Sequence, residues 1–238
     1  MGIDGKTGDT RLFVAVTGAD FEDGRSILQR LEGLPLGIKV GLELFVSRGP
    51  GLVERIRDAG FSVFLDLKFH DIPFTVAGAV KSACSLGPEL VNVHASGGPD
   101  MLRAAAEAAA GSPGGTKVLA VTVLTSLSDR DLALMGVQGG SAGTVGRLAR
   151  MAMDSGIHGV VCSPREAALV REAAGDDFII VTPGIRPAGA PMNDQKRVAT
   201  PKEAVRMGAT ALVVGRPITA SPDPGKAARA ILHEITPG

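Results

Sequence analysis

Eight short β-rich runs recur through the 238 residues, at 11–17, 36–41, 62–69, 90–95, 117–125, 159–163, 178–184 and 211–216. Between them lie amphipathic or Ala-rich stretches at 24–32, 51–59, 75–85, 99–110, 143–155, 164–173, 201–207 and 224–235. Strands joined through helices pair in parallel, and their crossovers are right-handed. Eight such units in this length predict an α/β chain folded as a (β/α)8 TIM barrel, a single domain over residues 1–238. A doubly wound open sheet is the alternative with the same alternation. No linker, low-complexity block or run of like charge divides the chain. Two connections are longer than the others, 126–142 and 186–199, and each follows a predicted strand. In a barrel, the loops at that end build the active site.

The third run, Val63-Phe64-Leu65-Asp66-Leu67-Lys68-Phe69, carries charge where a parallel strand is ordinarily apolar. Side chains alternate along a strand, so Val63, Leu65 and Leu67 are expected to face the helices. Asp66 and Lys68 then project into the barrel. Lys39, flanked by Ile38 and Val40, is expected to point inward by the same rule. Buried charges are costly unless paired. Lys39, Asp66, Lys68 and then Asp71 are therefore expected to form an array of alternating sign. Such an array favours the ammonium and carboxylate forms, which leaves Lys68 a competent proton donor. A carboxylate set against a substrate's own carboxylate favours loss of the latter as CO2. The plainer reading is an ion-pair network without chemistry. His70 is expected to face away as a loop or surface histidine. His94, ending the fourth run, suits either a hydrogen-bond partner behind the site or a core histidine.

The seventh and eighth runs end alike, in Thr182-Pro183-Gly184-Ile185-Arg186 and Val214-Gly215-Arg216-Pro217. Glycine lets backbone N–H groups approach an anion, and arginine adds a two-pronged clamp. Barrels often hold phosphate at this place. Turn glycines beside solvated arginines are the plainer reading.

Composition removes several other classes. Lys and Arg number 25 against 25 Asp and Glu, which lacks the basic excess of a nucleic-acid binder. Tyr and Trp are absent, so base stacking would rest on 8 Phe, and no nucleic-acid partner is expected. No apolar run approaches the ~20 residues of a membrane span. Residues 1–11 are polar and Gly-rich, unlike a secretory signal, so a cytoplasmic protein without a membrane partner is expected. Cys84 and Cys162 are too few for a disulfide framework or a cysteine zinc site, and read as reduced core thiols.

Taken together these segments resemble a known family. Asp66-x-Lys68-x-x-Asp71-Ile72-Pro73-x-Thr75 is similar to the signature of the orotidine 5'-phosphate decarboxylases. Residues 39–45, 93–98 and 121–126 resemble that family's second, fourth and fifth strands. Residues 183–186, 194–197 and 215–219 resemble its bacterial form. The resemblance implies conversion of orotidine 5'-phosphate to UMP in pyrimidine biosynthesis, with no cofactor and no metal. It implies that Lys68 protonates C6, that Asp66 sits beside the departing carboxylate and that Lys39 links the array to the ribose. It implies a homodimer in which Asp71 and Thr75 reach the neighbouring site. Thr125 is implied to bond the pyrimidine and Pro183 to line its pocket. Gln195 and Arg216 would hold the phosphate with backbone near Gly215. Ile72 and Arg186 join the substrate-binding set, Arg186 opening a lid that Gln195 pins.

One position departs from the pattern. The family usually ends its first strand with an Asp that contacts ribose, and Thr17 stands there in this chain. Asp20 follows three residues on, so Thr17 and Asp20 are both candidates for that contact. Rival readings remain at this level. The 3-keto-L-gulonate 6-phosphate decarboxylases share Asp-x-Lys-x-x-Asp, but use Mg2+ and carry a Glu where Lys39 stands. A Schiff-base lyase needs a neutral Lys68 amine, which flanking carboxylates oppose. A nucleotide-binding protein without catalysis is suggested by Thr17 alone.

Overall fold

The computed structural model describes residue 3 and residues 10–21, 27–187 and 198–236. Eight parallel strands close into one barrel in sequence order, with β1 hydrogen-bonded to β8. They are β1 (Arg11–Val16), β2 (Gly37–Gly41), β3 (Ser62–Phe69), β4 (Leu90–His94), β5 (Lys117–Val121), β6 (Gly159–Val161), β7 (Ile179–Thr182) and β8 (Ala211–Val214). Closure excludes the open-sheet alternative. The helices Gly51–Asp58, Pro73–Ser85, Gly98–Ala110, Gly140–Asp154, Pro164–Ala174, Pro201–Arg206 and Pro224–Ile235 alternate with the strands. Among the described residues, no helix is long and apolar enough to cross a membrane.

Strand pleating divides the core in two. Leu12, Val14, Ile38, Val40, Val63, Leu65, Val91, Val118, Val160, Ile180 and Leu212 face the helices, in the larger apolar cluster. Phe13, Phe64, Leu90, Leu119, Ile179, Val181, Ala211 and Val213 fill the barrel interior. The rings of Phe13 and Phe64 meet edge to face at 5.8 Å. Gly37 makes room for them, since a Cβ there would lie 2.5 Å from the Phe13 ring. Below this layer Arg11 pairs with Glu89 at 3.2 Å and also reaches Ser62. Ascending two residues per step, the same inward faces reach Ala15, Lys39, Asp66, Val161, Pro183 and Gly215, which line a cavity. The apolar layer is therefore the floor on which the site stands.

Except for β2 and β3, the strands end earlier than the sequence suggests. Residues 122–125 leave the ladder after β5, although Thr122 still donates from Oγ1 to the Val161 carbonyl. β2 ends at Gly41, as expected, and residues 42–48 form a helix, Leu42–Arg48. The long connection 126–142 contains another helix, Asp129–Leu134. Its start is a reciprocal cap, in which Ser128 Oγ accepts from the Asp131 amide and the Asp131 carboxylate accepts from Ser128 N. The connection after β7 has a pinned stem. Arg186 N donates to the Ala199 carbonyl at 2.9 Å and Ala199 N to that of Gly184 at 3.3 Å. Residues 188–197, and with them the expected lid and Gln195, lie outside the described residues.

β6 passes so close to β7 that only glycine fits at position 159. An added Cβ would overlap the carbonyl oxygen and Cβ of Ile179. Gly159→Ala is expected to destabilise the fold by about 1–3 kcal/mol through overpacking. Urea unfolding should show a lower midpoint with an unchanged slope.

Candidate active site

The cavity opens at the C-terminal ends of the strands and has a volume of about 310 Å3. One wall is β3 with its neighbours. Asp66 Oδ2 lies 3.2 Å from Lys39 Nζ, and Asp66 Oδ1 lies 2.6 Å from Lys68 Nζ. A Cβ on Gly41 would come within 3.2 Å of Lys39 Nζ, so the glycine keeps that space open. Burial works to raise the Asp66 carboxyl. Lys39 and Lys68 beside it, with hydrogen bonds from Lys68 and Asn92, outweigh burial and hold it below the usual carboxylate range.

β3 breaks where Lys68 emerges. Leu65 pairs with Val91 and Phe69 with Val93, so four steps on β3 oppose two on β4. The excess is taken up as an irregularity. Lys68 sits at φ 53°, the one non-glycine residue with positive φ among the described residues. That conformation costs an ordinary L-residue about 1–2 kcal/mol. Inside the break lies Asn92, fully buried. Its Oδ1 accepts from Lys68 N at 2.8 Å, and its Nδ2 donates to Asp66 Oδ1 at 2.7 Å. Asn92 was not among the residues expected in the site. Its signal was a lone amide with inward parity in the apolar run Leu90–His94.

The opposite wall carries Pro183, Arg186, Gly215 and Arg216. Arg186 is buried, and its Nε has no hydrogen-bond partner among the described residues. Burial and then the charge of Arg216 push its guanidinium below the ordinary arginine range. Two cations held this close are the signature of a place for an anion. Among the described residues around the cavity, four cations, Lys39, Lys68, Arg186 and Arg216, face a single carboxylate, Asp66. Thr125 also lines it. Cys162 reaches the lining too, but is buried, and burial and Glu166 push its thiol up, away from reactivity.

Other expected residues stand elsewhere. Asp71 is exposed and outside the array. Its Oδ1 accepts from Ile72 N at 2.7 Å. Within one chain Asp71 thus stands apart from Lys39, Asp66 and Lys68. The break at Lys68 and the helix start at Pro73, capped by Ile72, turn the chain outward before Asp71 can face the cavity. Ile72 and Thr75 are likewise exposed at the rim. At the end of β1 the Asp20 carboxylate folds back on Thr17, accepting from its N at 2.6 Å and its Oγ1 at 3.0 Å. The two candidates therefore form one pair at the rim. His70 is exposed, as expected, with its ring centroid 5.4 Å from that of half-buried His94. Burial, then His70 and Lys68, push His94 below the usual histidine range against the pull of Asp66. Among the described residues, no group of three or more His, Cys, Asp or Glu is placed to hold a metal ion.

This fold and site define a class, the (β/α)8-barrel enzymes with a cationic cavity at the C-terminal face of the strands. More particularly, the chain belongs to the orotidine 5'-phosphate decarboxylase / HUMPS family, whose pattern matches residues 10–231. It is 52% identical over 228 residues to the orotidine 5'-phosphate decarboxylase of Halorhodospira halophila, covering 96% of this chain and 97% of that one. It is 47% identical over 227 residues to that of Nitrosococcus oceani, covering 95% and 98%. The crystal structure of orotidine 5'-phosphate decarboxylase from Lactobacillus acidophilus superposes with a TM-score of 0.84 at 40% identity, covering 96% and 100%.

The charge state of Asp66 has a measurable consequence. Its folded-state affinity for protons lies below its unfolded one, so its contribution is present above the ordinary carboxyl range and lost as pH falls through the folded value. The stability difference between wild type and Asp66→Asn should be flat from about pH 5 to 7 and turn against wild type below about pH 4. Urea unfolding across that range measures it. A difference that shifts in favour of wild type on acidification contradicts the assignment.

Proposed function

We propose that the cavity decarboxylates orotidine 5'-phosphate to UMP, and that the array on β2 and β3 performs the chemistry. The observation that carries this reading is Asp66, locked between two ammonium groups across the cavity from two arginines. The arginine end suits the 5'-phosphate, with Arg186 and Arg216 as donors and Gly215 allowing close backbone approach. Thr125 and Pro183 then meet the pyrimidine, and Lys39 and the Thr17–Asp20 pair fall toward the ribose. The substrate carboxylate comes to rest against Asp66. Two like charges held together raise the ground state, and departure of CO2 relieves them. The electron pair of the broken C6–carboxyl bond stays on C6. The Lys68 ammonium stabilises it and delivers the proton that completes UMP. Phosphate binding far from C6 supplies energy for holding the reacting end in this unfavourable place. The reaction balances with no electron acceptor and no metal.

A second copy of the chain completes the site in this reading. Leu42, Val46, Ile72 and Phe74 are exposed together with Asp71 and Thr75 beside the mouth. A paired chain covering this apolar face would bring the partner subunit's Asp71 and Thr75 to the cavity. The Mg2+-dependent sugar-phosphate branch of the family is the second reading. Lys39, with its ammonium 3.2 Å from the Asp66 carboxylate, opposes a divalent cation there.

Two experiments test these statements. Loss of the orotate absorbance should proceed at neutral pH with the chelator EDTA present, and Lys68→Ala should lower turnover by at least ~10³-fold while UMP still binds. Activity abolished by EDTA favours the second reading. UMP binding without turnover by wild type favours a binding protein. Co-expressing Lys68→Ala with Asp71→Ala chains should restore roughly a quarter of wild-type activity, since half the dimers are mixed and each holds one intact site. No recovery refutes a shared site.

A further inference from the structure

The break in β3 leaves two problems at one point. Lys68 N–H has left the strand ladder, and Lys68 itself occupies a backbone conformation that lysine disfavours. Such a conformation persists only where surrounding structure over-determines it. The Asn92 side chain lies in the gap and touches both the Lys68 backbone and the Asp66 carboxylate. The chemistry of the two contacts fixes which way its amide points. An N–H needs the Oδ1 acceptor, and a carboxylate needs the Nδ2 donor. Aspartate would repel Asp66, leucine would leave both groups unmet, and a hydroxyl is too short to span them. Asn92 is fully buried and does not line the cavity, so it has no contact with a ligand there.

We infer that Asn92 is the positioning residue of the reaction, holding the Lys68 backbone in its left-handed turn and the Asp66 carboxylate at the angle that receives both lysines. The inference rests on the decarboxylase reading. With the amide in place, the Lys68 ammonium and the Asp66 carboxylate are fixed relative to each other before substrate arrives. Proton delivery then requires no backbone rearrangement. Without it, β3 is free to recover ordinary pairing with β4, and Lys68 Nζ moves away from C6. The effect falls on the chemical step. The anion-binding wall belongs to β7 and β8, on other strands, and is left alone.

The test compares wild type with Asn92→Ala, and with Asn92→Ser should the alanine variant fail to fold. Turnover of orotidine 5'-phosphate, UMP affinity and amide hydrogen exchange at Lys68 are measured on the same preparations. The expected result is kcat lowered ~10²-fold or more, UMP affinity within about threefold of wild type, and Lys68 exchange at least about tenfold faster. A folded variant with kcat near wild type, or with Lys68 protected as before, overturns the inference alone. Turnover and UMP affinity falling together with thermal stability also overturns it, because that pattern marks general loosening. A wild-type chain that leaves orotidine 5'-phosphate intact overturns the decarboxylase reading itself, and is seen before any variant is made.

Discussion

A carboxylate taken out of water must have its charge answered within a few ångströms, and Asp66 is answered twice over. Two ammonium groups from different strands and one amide from a third converge on its two oxygens. Each contact constrains a different part of the barrel. Lys39 ties β2 to β3, and Asn92 ties β3 to β4. Lys68 closes the set from the same strand two residues on. Removal of the central charge would leave cations facing each other across a small space, which is why partners of this kind are strongly interdependent.

The barrel makes such a convergence affordable by geometry. Parallel strands present their inward residues in steps, so a side chain's height above the floor follows from its position along its strand. Phe13 and Phe64 close the floor, and the layer above it is charged. The helix-facing surface of the same strands remains apolar throughout, as Val63, Leu65 and Leu67 show. β3 therefore anchors itself outward with hydrophobic residues and turns Asp66 inward to the cavity.

Much of this was legible in the sequence. Eight β-rich runs specified the barrel, and parity alone turned Lys39 and Asp66 inward. The terminal Gly-Arg pairs marked the opposite wall. What escaped did so for physical reasons. The helix Leu42–Arg48 starts directly at a strand's end, between glycines that read as turn signals. The helix Asp129–Leu134 announced itself only by Ser128 and Asp131, three residues apart, inside an otherwise loop-like stretch. Strict alternation has no way to express the break at Lys68, because a lysine with positive φ is held by contacts from β4 and has no local sequence preference behind it. The outward turn of Asp71 follows from the same break. Asn92 was visible as a polar residue among apolar ones, but the demand it satisfies belongs to a different strand.

The cavity's charge reshapes the meaning of the neutral whole. The chain has as many acids as bases, yet among the described residues its cavity holds four cations and one anion. The other charged side chains of the sequence number 21 basic against 24 acidic. Among the described residues, such a molecule presents a cationic mouth on a body whose charges nearly balance. Low-dielectric walls focus the field there and draw in small anions along it. That focusing acts before any hydrogen bond to a ligand is made.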